Sequence, residues 1–103
     1  MKLTDYSLFR QQCYVNGAWV DAEQGAVMTI NNPACGEILG EVPSMGVAET
    51  RVAIDAAETA WPDWRSRTAG ERARILRSWS ELMLENQQDL ALLMTAEQGK
   101  PLA

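Results

Sequence analysis

Residues 47–76 read VAETRVAIDAAETAWPDWRSRTAGERARIL, and the period of their apolar side chains separates the chain into two halves. Ile54, Ala57, Trp61 and Trp64 recur at three- and four-residue spacing, which places them on one face of a helix. Ala53, Ala56 and Ala60 lay a row of small residues beside them, where another element can approach closely. Pro62 disfavours helical geometry at the residue before it, so this first helix is expected to end near Trp61. A second helix opens at Thr68: its hydroxyl can cap free backbone N–H groups while Glu71, three positions on, reaches back, so TAGE is a capping box. Its apolar face is Ile75, Leu76, Trp79, Leu82 and Met83, and Arg77, Glu81 and Glu85 fall on the opposite side at four-residue intervals.

Downstream, ENQQD over 85–89 interrupts the pattern, and Leu90, Leu93 and Met94 carry a third helix to Gly99. Gly99, Lys100 and Pro101 read as a helix stop, because glycine takes the left-handed C-cap conformation and proline prevents resumption.

Upstream of residue 46 the pattern is that of strands. CYVNGAWV over 13–20 is two apolar runs around Asn16-Gly17, the signature of a two-residue type I′ hairpin. A further extended stretch covers Ala26 to Pro33, a turn centres on Ala34 to Gly36, and Ile38 to Val42 forms another strand that Pro43 closes. The expected fold class is therefore α+β: a short β segment over 8–43, then three helices within 46–103, as a single segment over 1–103.

Composition narrows the partners. The chain has 103 residues, 47% of them apolar and 22% charged, as in ordinary globular proteins. Fourteen acidic against nine basic residues leave a net charge of -5, which repels phosphate backbones and anionic membranes, so no nucleic acid is expected as partner. No apolar run reaches the length of a signal-peptide core or a membrane helix, and the expectation is a cytoplasmic protein without a membrane partner. In that compartment Cys13 and Cys35 are expected to stay unpaired.

Catalytic constellations are scarce. With no histidine, the usual general base and the commonest metal ligand are missing. Two cysteines twenty-two positions apart fit no zinc spacing, so no metal is expected. Glycines at 17, 25, 36, 40, 46, 70 and 99 write neither a dinucleotide fingerprint nor a phosphate loop. QGKP lacks the earlier glycine and following hydroxyl of such a loop and reads as a C-cap with a cation at the negative helix end. Cys35 reads as a turn residue, with Glu37 beside it to raise its pKa, and Cys13 as a small hydrophobe. Arg65, Arg67, Arg72, Arg74 and Arg77 form the one basic run, diluted by Asp63 and Glu71 into a solvated face. Trp61, Trp64 and Trp79 read most simply as core, although so much aromatic area in so small a chain also suits burial against something outside it.

LFRQQCYVNGAWVDA (8–22), NNPACGEILGEVP (31–43), AIDAAETAWPDWRSRTAGERARIL (53–76) and ENQQDLALLMTAEQGKPLA (85–103) together resemble the N-terminal stretch of the NAD(P)-dependent aldehyde dehydrogenases. The first and last of these are most similar to the succinate-semialdehyde dehydrogenases among them. Cys35 departs from the resemblance, at a position more often threonine or another small polar residue.

The resemblance implies a longer parent that oxidises an aldehyde to a carboxylate with NAD or NADP, using a cysteine nucleophile, a glutamate base and a cofactor-binding lysine that all lie downstream. Neither Cys13 nor Cys35 matches that nucleophile, and Lys100 is not in the motif of that lysine. The expectation is an incomplete N-terminal portion of a cofactor-binding domain, from a short gene product or an excised piece. It has no catalytic, cofactor-binding or metal residues of its own, holds no cofactor and is inactive alone. The competing expectation is a non-catalytic module that self-associates as a homo-oligomer through exposed helix faces around Trp61, Trp64 and Trp79, or that joins a full-length homologue and disturbs its assembly.

Overall fold

A computed structural model describes residues 1–102. After a 3-10 turn at Tyr6–Leu8, strands β1 (Cys13–Val15) and β2 (Ala18–Val20) form one antiparallel pair, and β3 (Val27–Asn31) and β4 (Ile38–Pro43) form another. Helices α1 (Val47–Ser66), α2 (Ala69–Glu85) and α3 (Gln87–Gln98) follow. The architecture is α+β with the strands first, as the change of period implies.

The first hairpin is set by its turn. Asn16 and Gly17 both take positive φ, 49° and 80°, as a type I′ turn demands. That register puts Tyr14 opposite Trp19, whose rings meet edge-on at 5.2 Å, with the Arg10 guanidinium 5.0 Å from the Trp19 ring centre. In the second pair Val27 faces Pro43 and Ile30 faces Gly40, after which a bulge brings Asn31 opposite Ile38. The connecting turn is self-bonded: the Gly36 N–H donates to the Asn32 carbonyl at 2.7 Å and the Ala34 N–H to Asn32 Oδ1 at 2.9 Å. Gln11 ties the pairs together, its Oε1 accepting the Glu41 N–H at 2.9 Å. Gly40 leaves room for that side chain; a Cβ there would collide with Gln11.

Thr68 caps α2 as the TAGE pattern predicts: its Oγ1 accepts the Glu71 N–H at 3.2 Å, and Glu71 Oε2 accepts the Thr68 N–H at 2.7 Å. α3 ends at Gly99 in the left-handed conformation, φ 76°, with its N–H on the Thr95 carbonyl. That end abuts the β3–β4 turn, for a Cβ on Gly99 would lie 3.2 Å from Pro33.

Two expectations are corrected. α1 does not stop at Trp61 but runs through Pro62 to Ser66. Proline denies the Glu58 carbonyl its partner, yet both residues are exposed and water can serve that oxygen, so the loss is tolerated until Arg67 turns extended before the Thr68 cap. The tryptophans are not core: Trp61 is 51% and Trp79 61% exposed, and Trp64 is half-buried. Ala103, part of the expected helical segment 46–103, lies outside the described residues.

Among the described residues the buried apolar set is Leu3, Ala22, Pro43 and Ala96, and no large side chain is fully enclosed. The Cα radius of gyration is 16.6 Å, against about 13 Å for a compact domain of this length. Accessible surface is 8136 Å², whereas a compact 11.4 kDa monomer exposes about 5,800 Å². Asp89, 5% exposed, makes the long-range closure. Its carboxylate accepts the Thr4 N–H on both oxygens, at 3.0 and 3.1 Å, and the Asp5 N–H at 2.8 Å, and so joins the N-terminal segment to α3.

Two outcomes follow for stability. Asp89→Asn is expected to cost about 1–3 kcal/mol, by the worth of hydrogen bonds to a charged acceptor, and to speed amide exchange at Thr4 and Asp5. Unchanged protection of those amides by hydrogen exchange would show that the link is incidental. Pro62→Ala is expected to raise the helicity and thermal stability of α1, by up to about 3 kcal/mol as the lost bond and ring clash are removed; circular dichroism melting checks the sign.

Candidate functional site

Two of the surface concavities bring together polar and apolar groups on which a site could be built. The first, about 310 Å³, lies where the β2–β3 connection meets the start of α1, against Ala22, Glu23, Ser44, Gly46 and Glu49. Gly46 is the N-cap of α1 and offers no side chain, so Glu49 from the first turn serves instead. Its carboxylate accepts the Glu23 N–H with Oε1 and the Gly46 N–H with Oε2. Those bonds, that from Glu23 foremost, hold its pKa below the ordinary glutamate value. The carboxylate is thus engaged in pinning the connection to the helix.

The second concavity, about 450 Å³, is a mainly apolar groove between α2, α3 and the residues after Gly99, formed by Met83, Leu84, Leu90, Met94, Pro101 and Leu102, with Lys100 beside them. It is greasy and open and brings no nucleophile to a base.

The residues singled out from sequence are dispersed. Cys13 lies half-buried on β1, Cys35 is exposed in the β3–β4 turn, and both are free thiols. Lys100 follows the α3 cap. Within the arginine run, Arg67 Nη2 pairs with Asp63 at 2.9 Å, an exposed i, i+4 contact of small energetic weight. Arg72 is half-buried on α2, and its Nε is shielded from solvent without an acceptor. Among the described residues no group of three metal-ligating side chains converges, and no helix is long and apolar enough to cross a membrane.

Sequence reasoning missed Glu49 and Asp89 as tying residues. Each is an acid in the first turn of its helix, which is a visible signal, but their partners Glu23, Thr4 and Asp5 lie on distant stretches.

Comparison with known proteins places this arrangement. Residues 19–103 match the model of the aldehyde dehydrogenase family. The chain is 65% identical over 103 residues to the glutarate-semialdehyde dehydrogenase of Pseudomonas aeruginosa, spanning 100% of this chain and 21% of that protein. It is 61% identical over 103 residues to the NADP(+) succinate-semialdehyde dehydrogenase of Escherichia coli, with 100% and 21% covered. The crystal structure of an E. coli NADP-dependent enzyme superposes with a TM-score of 0.95 at 60% identity, over 98% of this chain and 21% of that one. The chain thus spans about a fifth of the length of these relatives, and its strands and helices match the N-terminal part of the aldehyde dehydrogenase fold.

The Glu49 link sets a pH dependence. A carboxylate whose folded pKa is depressed adds stability that is present above its unfolded value of about 4.5 and is lost as pH falls through the folded one. Glu71, whose pKa is lowered chiefly by the Thr68 N–H, acts in the same direction. Glu49→Gln is expected to flatten the acid limb of the stability profile below about pH 4.5. Denaturant titrations at several pH values check this, and an unaltered slope would count against it.

Proposed function

This chain belongs to the aldehyde dehydrogenase family, and we propose that it serves as the N-terminal structural portion of an NAD(P)-dependent dehydrogenase acting on a short dicarboxylic semialdehyde. In this reading the β segment over 8–43 and the helices within 46–103 form part of a cofactor-binding domain and supply no catalytic, cofactor-binding or metal residue themselves. The observation that carries it is identity above 60% along the whole chain to two semialdehyde dehydrogenases. One is named for succinate and one for glutarate semialdehyde, so the substrate class is an aldehyde with a distal carboxylate, succinate semialdehyde being the first choice.

Physical reasoning supports the division of labour. Oxidising an aldehyde by hydride transfer requires a nucleophile to make the tetrahedral adduct and a cradle to aim the nicotinamide. The two cysteines sit apart on a strand and in an open turn, and Glu49 and Asp89 are occupied by backbone N–H groups. NADP enters through the name of the E. coli relative, and NAD stays equally open. A cytoplasmic location belongs to the same proposal.

A second reading, a self-associating module without catalysis, draws on the exposed Trp61 and Trp79 faces. The purified chain, given succinate or glutarate semialdehyde with NAD or NADP, is expected to form no reduced nicotinamide; formation of it would sink the proposal that catalysis resides elsewhere. Light scattering addresses the second reading, which predicts a concentration-dependent homo-oligomer and falls if the chain stays monomeric without binding a hydrophobic dye.

A further inference from the structure

Residues 1–12 run ahead of the first strand and meet three parts of the fold in turn. Leu3 is buried, and the next two N–H groups, of Thr4 and Asp5, go to the Asp89 carboxylate on α3. Asp5 then caps the 3-10 turn Tyr6–Leu8: its Oδ1 accepts the Ser7 N–H at 2.8 Å, and the Phe9 N–H closes on the Tyr6 carbonyl at 3.1 Å. Beyond the turn, Phe9 and Gln11 lie over Gly40 of β4, where a Cβ would come within 3.1 Å of Phe9 Cζ and would strike the Gln11 side chain. Arg10 stacks on Trp19 of β2, and Gln12 Nε2 donates to Asp21 Oδ2 at 3.0 Å just past that strand.

The Gln11 bond falls on a particular edge. β4 has a strand neighbour on one side only, and Glu41 faces Thr29 of β3 there while its N–H goes to Gln11 Oε1. That N–H therefore lies on the open edge of the pair, where an unpaired donor invites another strand. The stretch between Asp5 and Gln11 contains a turn closed by its own hydrogen bonds, so the register set at Asp89 dictates where Gln11 arrives. The exposed bonds of Gln11 and Gln12 are weak singly, whereas those to the buried Asp89 carboxylate are of the stronger, charged kind.

We propose that residues 1–12 form a strap that opens and closes as one unit, and that in its closed form links α3 to the free edge of β4 and to the first hairpin. Neighbouring contacts that open together are the usual form of sub-global motion. The open strap leaves the Glu41 N–H without its acceptor and bares the β4 edge to a second strand. These residues precede the stretch 19–103 that matches the family model, so the device is additional to what that match covers. It does not depend on the function proposed above.

The test is native-state hydrogen exchange on the full chain in low denaturant, read by NMR at Thr4, Asp5 and Glu41. Val42, which faces Met28 in the β3–β4 ladder, serves as reference. In the unmodified chain the three amides are expected to share one opening constant to within about three-fold, and Val42 to stay protected while they open. Asp89 and Gln11 hold different amides, so each variant should also be felt at the other's. Asp89→Asn is expected to speed exchange at Glu41 by about ten-fold, and Gln11→Ala to speed it at Thr4 and Asp5, with Val42 unmoved. Opening constants in the unmodified chain that differ by more than about ten-fold overturn the strap. So does an opening that Val42 shares, or a variant that affects only the amides it touches. Should a variant also lose protection at Val42, the comparison within the unmodified chain decides alone.

Discussion

The Asp89 carboxylate holds the two ends of this fold together. It lies in the first turn of α3 and takes the backbone N–H groups of Thr4 and Asp5, more than eighty residues away in sequence. A carboxylate can do this because it is acceptor-only and has two oxygens to share between adjacent N–H groups. Burying it to 5% exposure would be costly without those bonds, so the N-terminal segment and the carboxylate stabilise one another. Leu3, one of the few buried apolar residues, directly precedes this link.

Elsewhere the structure is built from local devices more than from a core. The first hairpin is shaped by its Asn-Gly turn, the second by the bonds around Asn32 and Gly36, α1 by Glu49 and α2 by the Thr68–Glu71 box. Gln11, Pro33 and, with its second oxygen, Glu49 then join neighbouring units at single points. Such a scaffold defines where its helices begin and end while leaving broad apolar faces on α1 and α2 open. Isolated helices of this length are marginal in water, so the open faces represent stabilisation still to be gained by contact. That incompleteness agrees with a chain spanning about a fifth of its relatives.

Much of the fold was legible in the sequence, because the relevant physics is short-range. Asn16-Gly17, TAGE and Gly99 each carry their geometry within four or five residues, and each sits in the structure where its chemistry requires. Pro62 misled for the same reason. Its local preference is against helix at Trp61, but an exposed carbonyl at Glu58 can turn to water and the following residues still extend α1 to Ser66. The apolar stripes were legible as stripes, yet their identity as core was not, since periodicity shows that a face is apolar and says nothing of what lies against it.

Element type, turn geometry and helix ends followed from sequence, since each is governed by φ preferences, capping groups and periodicity among neighbouring residues. The roles of Asp89 and Glu49, and the shielded Nε of Arg72, came only from tertiary structure. An acid in a first helical turn looks the same whether it serves its own helix or a distant strand, and an arginine looks the same with or without an acceptor. Which of these holds depends on where remote backbone N–H groups and carbonyls arrive, and that is set by the folded path of the whole chain.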